Sequence, residues 1–116
     1  MAINLDELIE NSIIKLFQNS EIRVVFPEKD YLEKICNNLL GKQITGYSII
    51  ENETSYVWEN KKVTCKNYVA STIIPSEKLK DTVNYFIEQI KKKWKVPLIQ
   101  VIPCLVNSSF NEYLYK

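Results

Sequence analysis

Histidine is absent from this 116-residue chain, and glycine and cysteine are scarce, with two and three residues respectively. Without histidine, neither a Ser-His-Asp nor a Cys-His catalytic arrangement can form. Gly41 and Gly46 lie outside any phosphate-binding motif, since the chain has no Gly-x-Gly-x-x-Gly or Gly-Lys-Ser/Thr sequence. Cys36, Cys65 and Cys104 are too widely spaced for a Cys-x-x-Cys metal or redox motif. The sequence therefore predicts a protein that is not an enzyme.

An excess of charge of either sign is also missing. Lys and Arg number 15 against 14 Asp and Glu, the formal net charge is +1, and Arg23 is the only arginine. Nucleic-acid-binding domains usually carry a basic surplus and use arginine to contact bases and phosphates. We therefore expect no nucleic-acid partner.

Long apolar runs are missing too. No stretch approaches the ~20 apolar residues that a membrane-spanning helix needs. Near the start of the chain, Asp6, Glu7 and Glu10 interrupt the continuous apolar segment that a signal peptide requires. These features predict no membrane contact and a cytoplasmic location with reduced thiols.

Residues 1–20 instead predict an N-terminal amphipathic helix, followed by a single domain over residues 21–116. Apolar side chains recur there at helical spacing: Leu5, Leu8, Ile9, Ile13, Leu16 and Phe17. This apolar face is expected to pack on the domain or, alternatively, to contact a neighbouring subunit.

The centre of the chain predicts a long β-hairpin. Residues 47–50 (YSII), 54–58 (TSYVW) and 63–74 are rich in β-branched and aromatic side chains, and residues 59–62 (ENKK) form a polar break. The break contains no Asn-Gly pair, the sequence signal that is typical of a two-residue turn. Glu51, Glu53 and Glu59 are expected near turns, either solvated or binding a hard cation through oxygen.

The flanking segments predict two helices and two more strands. A short strand over 22–26 stops at Pro27, and a helix over 28–40 ends at Gly41. Ser76 is the expected N-cap of a second helix, whose apolar stripe extends to Trp94. Residues 96–103 (VPLIQVIP) predict a strand buried on both faces, and residues 104–116 a short helix or an edge strand.

This order of elements predicts an α+β protein with a ferredoxin-like βαββαβ fold, in which both helices cover one face of a four-stranded antiparallel sheet. The other face carries too many apolar side chains to be left in water, so other subunits should cover part of it. We assign to that face Tyr47, Ile49, Tyr56, Trp58 and Tyr68. Of these, Tyr47, Tyr56 and Trp58 are the candidate residues of an oligomer interface or of a ligand-stacking cleft.

Lysines provide the candidate anion contacts. Residues 91–93 and 95 are lysines near the end of the second helix, and two more follow the hairpin break. These cations favour a solvated helix end, with an anion or RNA patch as the alternative. The residues proposed to contact an anion are Lys61, Lys62, Lys92 and Lys93.

Five segments together resemble one protein family. They are residues 22–27 (IRVVFP), Ile35 with Leu39, residues 54–61 (TSYVWENK), residues 96–99 (VPLI) and residues 102–103 (IP). Their order and separations, over roughly residues 22–114, resemble the CutA divalent-cation tolerance proteins. The resemblance implies a ferredoxin-like fold with a long central hairpin, a homotrimer assembled through its sheets, and copper or another divalent cation as the associated ion.

The chain departs from the CutA pattern where a metal role would lie. Tyr47 stands where the family often has cysteine, residues 92–97 (KKWKVP) replace its His-Pro-Tyr-Glu-Val-Pro segment, and Ile74-Pro75 replaces Lys-Thr. These departures, and the absence of histidine, argue against direct metal binding.

Two functions follow from the resemblance. The first is a non-enzymatic trimeric protein associated with tolerance of, or response to, divalent metal ions. The alternative is a small-ligand sensor like the similarly built PII signalling proteins, which would bind an anion or nucleotide in clefts between subunits. Expected partners are other copies of the chain, a small ligand, or an unidentified protein. A ferredoxin-like RNA binder ranks last, because only Tyr68 suggests a stacking platform.

Overall fold

A computed structural model describes residues 18–115 of the chain. The predicted helix over residues 1–20 falls almost wholly outside these residues, and the division at residue 20 stays a prediction. The elements are β1 (Asn19–Phe26), α1 (Lys29–Leu39), β2 (Ser48–Trp58), β3 (Lys61–Pro75), α2 (Leu79–Lys91), β4 (Leu98–Cys104) and α3 (Ser108–Leu114). No helix within the described range is long and apolar enough to cross a membrane.

The four strands form one antiparallel sheet in the order β2-β3-β1-β4. This order, with α1 and α2 packed on one face, is the predicted ferredoxin-like arrangement, which is confirmed. Alternate side chains of β1 and β3 meet the apolar stripes of the two helices in a single core. Its largest fully buried members are Ile22, Phe26, Leu32, Ile44, Ile74, Leu79, Phe86 and Ile90.

Helix α1 ends where the sequence predicts. Gly41 follows the C-cap Leu40 with φ of +80°, a left-handed conformation that glycine adopts without a steric penalty. The Gly41 amide donates to the carbonyl of Ile44 at 2.8 Å, and Ile44 is buried in the core. The turn therefore both stops the helix and returns the chain to the core before β2 begins.

The hairpin turn is tighter than the sequence indicates. Strands β2 and β3 are joined by Glu59 and Asn60 alone, with φ of 50° and 64°. Two successive left-handed residues match the right-handed twist of the flanking strands. Asparagine adopts this conformation readily, whereas glutamate does so rarely. A two-residue turn at Glu59 was therefore not predicted from the sequence.

Three other local predictions are wrong. Glu51 and Glu53 lie within β2 rather than near turns, and Glu51 pairs with Lys66 across the hairpin at 2.9 Å. Ser76 caps no helix, because a 3-10 turn (Ser76–Lys78) precedes α2 and its hydroxyl bonds to that of Ser20 at 3.0 Å. Trp94 lies beyond the end of α2 and packs edge-on against Phe26, outside the helical stripe.

Strand β4 is not buried on both faces within one chain. Ile99 and Val101 pack against the core, but Leu98 and Ile102, which alternate with them, are exposed. Residues 104–116 contain α3, which agrees with the first of the two forms predicted for them.

A pair of glycine substitutions tests the turn after α1. An added Cβ would meet nothing within 4 Å at either Gly41 or Gly46, and only Gly41 has a positive φ. Gly41→Ala should therefore lower the free energy of unfolding by about 1 kcal/mol. Gly46→Ala, the matched control, should leave it unchanged or raise it by about 0.5 kcal/mol. Urea denaturation at equal chain concentration measures both, and equal effects would contradict the assigned backbone conformation.

Candidate functional site

The sheet face opposite α1 and α2, called here the second face, carries alternating rows of apolar and polar side chains. Strand register places four apolar residues side by side across the sheet: Ile50, Val69, Val25 and Leu98. The next row is polar: Ser48, Ser71, Arg23 and Gln100. Ile50 is 61% exposed and Leu98 51% exposed. Exposed apolar area of this kind marks an interaction surface.

Helix α3 lies near one end of the second face. Its Phe110 and Tyr113 line a cavity of about 340 Å³ together with Ser48, Ser71 and Ile73. The apolar row lies further along the strands, toward the hairpin. Asn111, also on α3, accepts a hydrogen bond from the Asn19 side chain of β1 at 2.8 Å.

The distal half of the hairpin, residues 52–67, forms a two-stranded arm. Strand β3 pairs with β1 only from Tyr68 to Pro75, so residues 61–67 pair with β2 alone. Tyr56 and Trp58, on the second-face side of the arm, are 44% and 65% exposed. An isolated two-stranded hairpin is marginally stable in water, so the arm needs further contacts.

A polar network stabilises the base of the arm. Asn67, buried although it lies on the second-face side, donates to the Thr54 hydroxyl at 2.7 Å and accepts from the Asn52 side-chain amide at 3.2 Å. Further out, the hydroxyls of Ser55 and Thr64 are 2.9 Å apart. These bonds join β2 to β3 but bury no large apolar side chain.

The predicted aromatic residues do not share one surface. Tyr56 and Trp58 lie on the arm, as described. Tyr47 instead packs against the core, and its hydroxyl donates to the Asn37 side chain on α1 at 2.6 Å. Ile49 and Tyr68 also pack against the core on the helix side, so their assignment to the second face is wrong.

The four candidate lysines also fall into two groups. Lys61 and Lys62 adjoin the hairpin turn and, as neighbours in a strand, point to opposite faces of the arm. Lys92 donates to the Gln89 side chain at 3.1 Å. Lys93 pairs with Glu28 at 3.5 Å and lies 4.4 Å from the ring centre of Tyr31. The two lysines after α2 are thus already engaged within their own subunit.

Sequence reasoning missed a charged pair in the middle of the second face. Arg23 Nη2 lies 3.3 Å from Glu21 Oε1, and the Ser71 hydroxyl donates to Glu21 Oε2 at 2.5 Å. The Ser71 hydrogen bond and the Arg23 charge hold the pKa of Glu21 below its ordinary value, against the opposing effect of burial. One sequence signal pointed to this pair. Arg23 is the only arginine in the chain, and it lies in the predicted strand over residues 22–26, two residues after Glu21.

These residues line a cavity of about 520 Å³ that is open on the second face. Both rows described above contribute to its wall, and Glu21 lies beside them. Small-molecule sites typically have volumes of about 300–1,000 Å³ and a few converging polar groups. The cavity has the size and the lining of such a site.

The described residues of one subunit, 18–115, do not fit a bound divalent cation. Within residues 18–115, no group of three or more Cys, Asp or Glu side chains is arranged to hold a metal ion. Burial, with a smaller effect of the Glu33 charge, raises the pKa of Cys36 to about 12, which disfavours the thiolate that binds metals. Burial also raises the pKa of Cys104, with a further contribution from Glu21.

Solved structures of other proteins share this architecture. CutA1 from the psychrotrophic bacterium Shewanella sp. SIB1 matches with a TM-score of 0.76 and 14% identity, over 84% of this chain and 92% of that one. The periplasmic divalent cation tolerance protein CutA from Archaeoglobus fulgidus matches with a TM-score of 0.71 and 20% identity, over 84% and 95%. CutA1 from Pyrococcus horikoshii matches with a TM-score of 0.67 and 25% identity, over 83% and 94%. This chain has the fold of a CutA protein.

The resemblance to the CutA proteins predicted from the sequence is thereby confirmed. No family model matches the chain, and no curated protein matches its sequence. The relation to the CutA proteins therefore rests on the shared fold. The Archaeoglobus protein is described as periplasmic, so a cytoplasmic location for this chain stays a prediction.

The environment of Cys36 predicts a slow thiol. In a Cys65→Ser/Cys104→Ser variant, which keeps Cys36 alone, alkylation at pH 8 should be at least about 100-fold slower in the folded protein than in urea. Because the pKa is raised to about 12, the rate should increase about tenfold between pH 9 and pH 10, where an ordinary thiol gains less than about twofold. Mass spectrometry of the alkylated chain follows both rates. Equal rates in the folded and unfolded states would contradict the burial of this thiol.

Proposed function

We propose that the chain is a non-enzymatic, CutA-like cytoplasmic protein that assembles as a homotrimer and takes part in tolerance of, or response to, divalent cations. The observation that carries the proposal is the hairpin arm, which extends past β1 and exposes Tyr56 and Trp58. Such an arm is stable only when packed against something else. A second copy of the chain provides apolar surface of the required kind on its second face.

The chemistry of the exposed surface favours assembly. Tyrosine and tryptophan are enriched among the residues that dominate binding energy at interfaces, where they are desolvated by their neighbours. The apolar row of the second face lies on the same side of the sheet as Tyr56 and Trp58. A contact between the arm of one subunit and the second face of another would cover both. Three subunits is the number implied by the resemblance to CutA.

The link to divalent cations comes from the neighbours. The Archaeoglobus protein is described as a divalent cation tolerance protein, and the same role is proposed here. Since the side chains of one subunit form no metal site within the described range, the role is proposed without a metal bound by a single subunit. An indirect response, through a partner protein or a small ligand, fits these residues better.

A PII-like sensor of small ligands remains the second candidate. Its support is the cavity of about 520 Å³ on the second face, which would lie between subunits in the proposed trimer. The predicted contacts at Lys92 and Lys93 gain no support, because these side chains bond to Gln89 and Glu28. Arg23 is the cation that the fold places in the cavity.

Light scattering tests the assembly. The full chain should have a mass three times the 13.6 kDa of one chain. Trp58→Ala should weaken association by about 30-fold, the effect of losing ~2 kcal/mol at an interface anchor. Leu40→Ala is the matched control, since Leu40 is an exposed apolar residue at the end of α1 in the helix layer. The Leu40→Ala variant should keep the mass of a trimer at the concentrations at which Trp58→Ala dissociates.

A monomer at micromolar concentration would refute the trimer. Equal weakening by Leu40→Ala would show that the arm is not the contact. Circular dichroism of each variant separates loss of assembly from loss of folding.

Calorimetric titration with Cu²⁺ and with Zn²⁺ tests the role of metal. We expect no saturable site at one ion per chain, because no described ligand group exists within a subunit. A site with that stoichiometry would contradict the indirect role. A site with one ion per trimer would place the ligands between subunits and restore direct binding.

A further inference from the structure

The cavity on the second face holds a charged pair beside an apolar surface. Glu21, Arg23 and Val25 follow each other on the same side of β1, about 7 Å apart at the spacing of alternate strand residues. Val25 belongs to the apolar row. Among the described residues, Glu21 and Arg23 are the two charged ones that line the cavity. A surface that covers the apolar row must therefore also meet one carboxylate and one guanidinium.

Both charged groups keep hydrogen-bonding capacity within one subunit. In the described part of the chain, Arg23 pairs with Glu21 through Nη2, and its side chain is 46% exposed. The two oxygens of Glu21 have about four lone-pair sites, of which Ser71 and Arg23 use two. Covering an ion pair without giving it further partners costs free energy. A covering surface that fits should present a flat aromatic group to the guanidinium and a cation to the carboxylate.

The tip of the arm presents these two groups together. Trp58 and Lys61 lie directly opposite each other across the hairpin, so both side chains are on the second-face side of the arm. Trp58 is 65% exposed, and Lys61 is exposed and has no ion-pair partner among residues 18–115. A guanidinium is attracted to the face of an indole, and the Lys61 ammonium offers three N–H donors to a carboxylate.

The tip cannot reach the cavity of its own subunit. Trp58 lies eight residues after Ile50 along β2, which places it about 26 Å from the apolar row at ~3.3 Å per residue. Continuous pairing with residues 61–67 of β3 keeps the arm extended over this length. A contact between a tip and a cavity must therefore join two copies of the chain. Because tip and cavity are different surfaces, such contacts are head-to-tail and close into a ring when the rotation between copies permits.

We propose that the cavity of one subunit is a socket for the arm tip of another. The Trp58 indole lies on the Arg23 guanidinium and the apolar row, and Lys61 Nζ pairs with Glu21. The cavity of about 520 Å³ is within the ~300–1,000 Å³ that accommodates small molecules, so an indole fits. The socket rests on the proposed function, because the trimer provides the second copy. It assigns the Glu21–Arg23 pair to recognition between subunits, and it fills the space that the small-ligand candidate requires.

Crosslinking tests this contact on the full chain. The variants carry Cys65→Ser and Cys104→Ser, so that the buried Cys36 is the only native thiol. With Glu21→Cys and Lys61→Cys added, a short bis-maleimide should join subunits into covalent dimers and trimers on a denaturing gel. The matched control combines Glu21→Cys with Lys62→Cys, whose side chain points to the opposite side of the arm. The control should lose most of the crosslinked product.

A double-mutant cycle tests the ion pair without a crosslinker. Lys61→Gln and Glu21→Gln should each weaken association about fivefold per contact, and the two together should weaken it no more than the stronger one alone. Lys62→Gln removes the same charge from the other side of the arm and should leave association unchanged. Light scattering over a dilution series measures all four proteins.

Tryptophan fluorescence tests the socket with its own residues unaltered, and it decides alone if substitutions at Glu21 prevent folding. The chain has two tryptophans, so Trp94→Phe leaves Trp58 as the only one. The emission of Trp58 should shift to shorter wavelength when the trimer forms, because the indole leaves water. Arg23→Gln should reduce the fraction of trimer and, with it, this shift.

Three results would overturn the socket. They are equal crosslinking in the Lys62→Cys control, additive effects of Lys61→Gln and Glu21→Gln, and the same Trp58 emission in monomer and trimer. Light scattering of the same samples separates the socket from the proposed function. A trimer that gives any of these results refutes only the socket, whereas a monomer at micromolar concentration refutes the assembly and the socket together.

Discussion

The difference in length between two neighbouring strands determines the shape of this protein. Strand β3 has 15 residues and β1 has eight, and their antiparallel register aligns the last residues of β3 with β1. The remainder of β3 can pair only with β2, so the hairpin must extend beyond the body of the sheet. The helices, the core and the other turns belong to the ferredoxin-like body, whose core is buried within one chain. The arm is the part whose stability one chain does not provide.

The second face, like the arm, is left without a covering layer over most of its area. A sheet with helices on one side leaves its other side in water unless another layer covers it. Here the uncovered side is neither uniformly polar nor uniformly apolar, because a row centred on Arg23 adjoins a row centred on Val25. A partner that covers the apolar row must also accommodate the charged pair. We infer that this pair restricts what can occupy the face, whether a subunit or a small molecule.

Element order and fold could be predicted because strand alternation and helical stripes are local signals, and Gly41 ended α1 as expected. The turn at Glu59 was missed because glutamate rarely adopts a left-handed conformation. Ser76 was misassigned because the partner of its hydroxyl, Ser20, is distant in sequence. The cavity around the Glu21–Arg23 pair was missed for the same reason, since Ser71 and Gln100 become neighbours of Arg23 only through strand pairing. Contacts set by register cannot be derived from one strand alone.

Amide hydrogen exchange along β3 tests the central claim, that another subunit covers the arm. The strand contains its own comparison, because residues 68–75 lie inside the sheet and residues 61–67 belong to the arm. If the arm is covered, the hydrogen-bonded amides of both halves should exchange with similar protection, and dilution to the monomer should release only residues 61–67. Exchange of residues 61–67 near the rate of an unfolded peptide, at a concentration where the protein is assembled, would contradict the account.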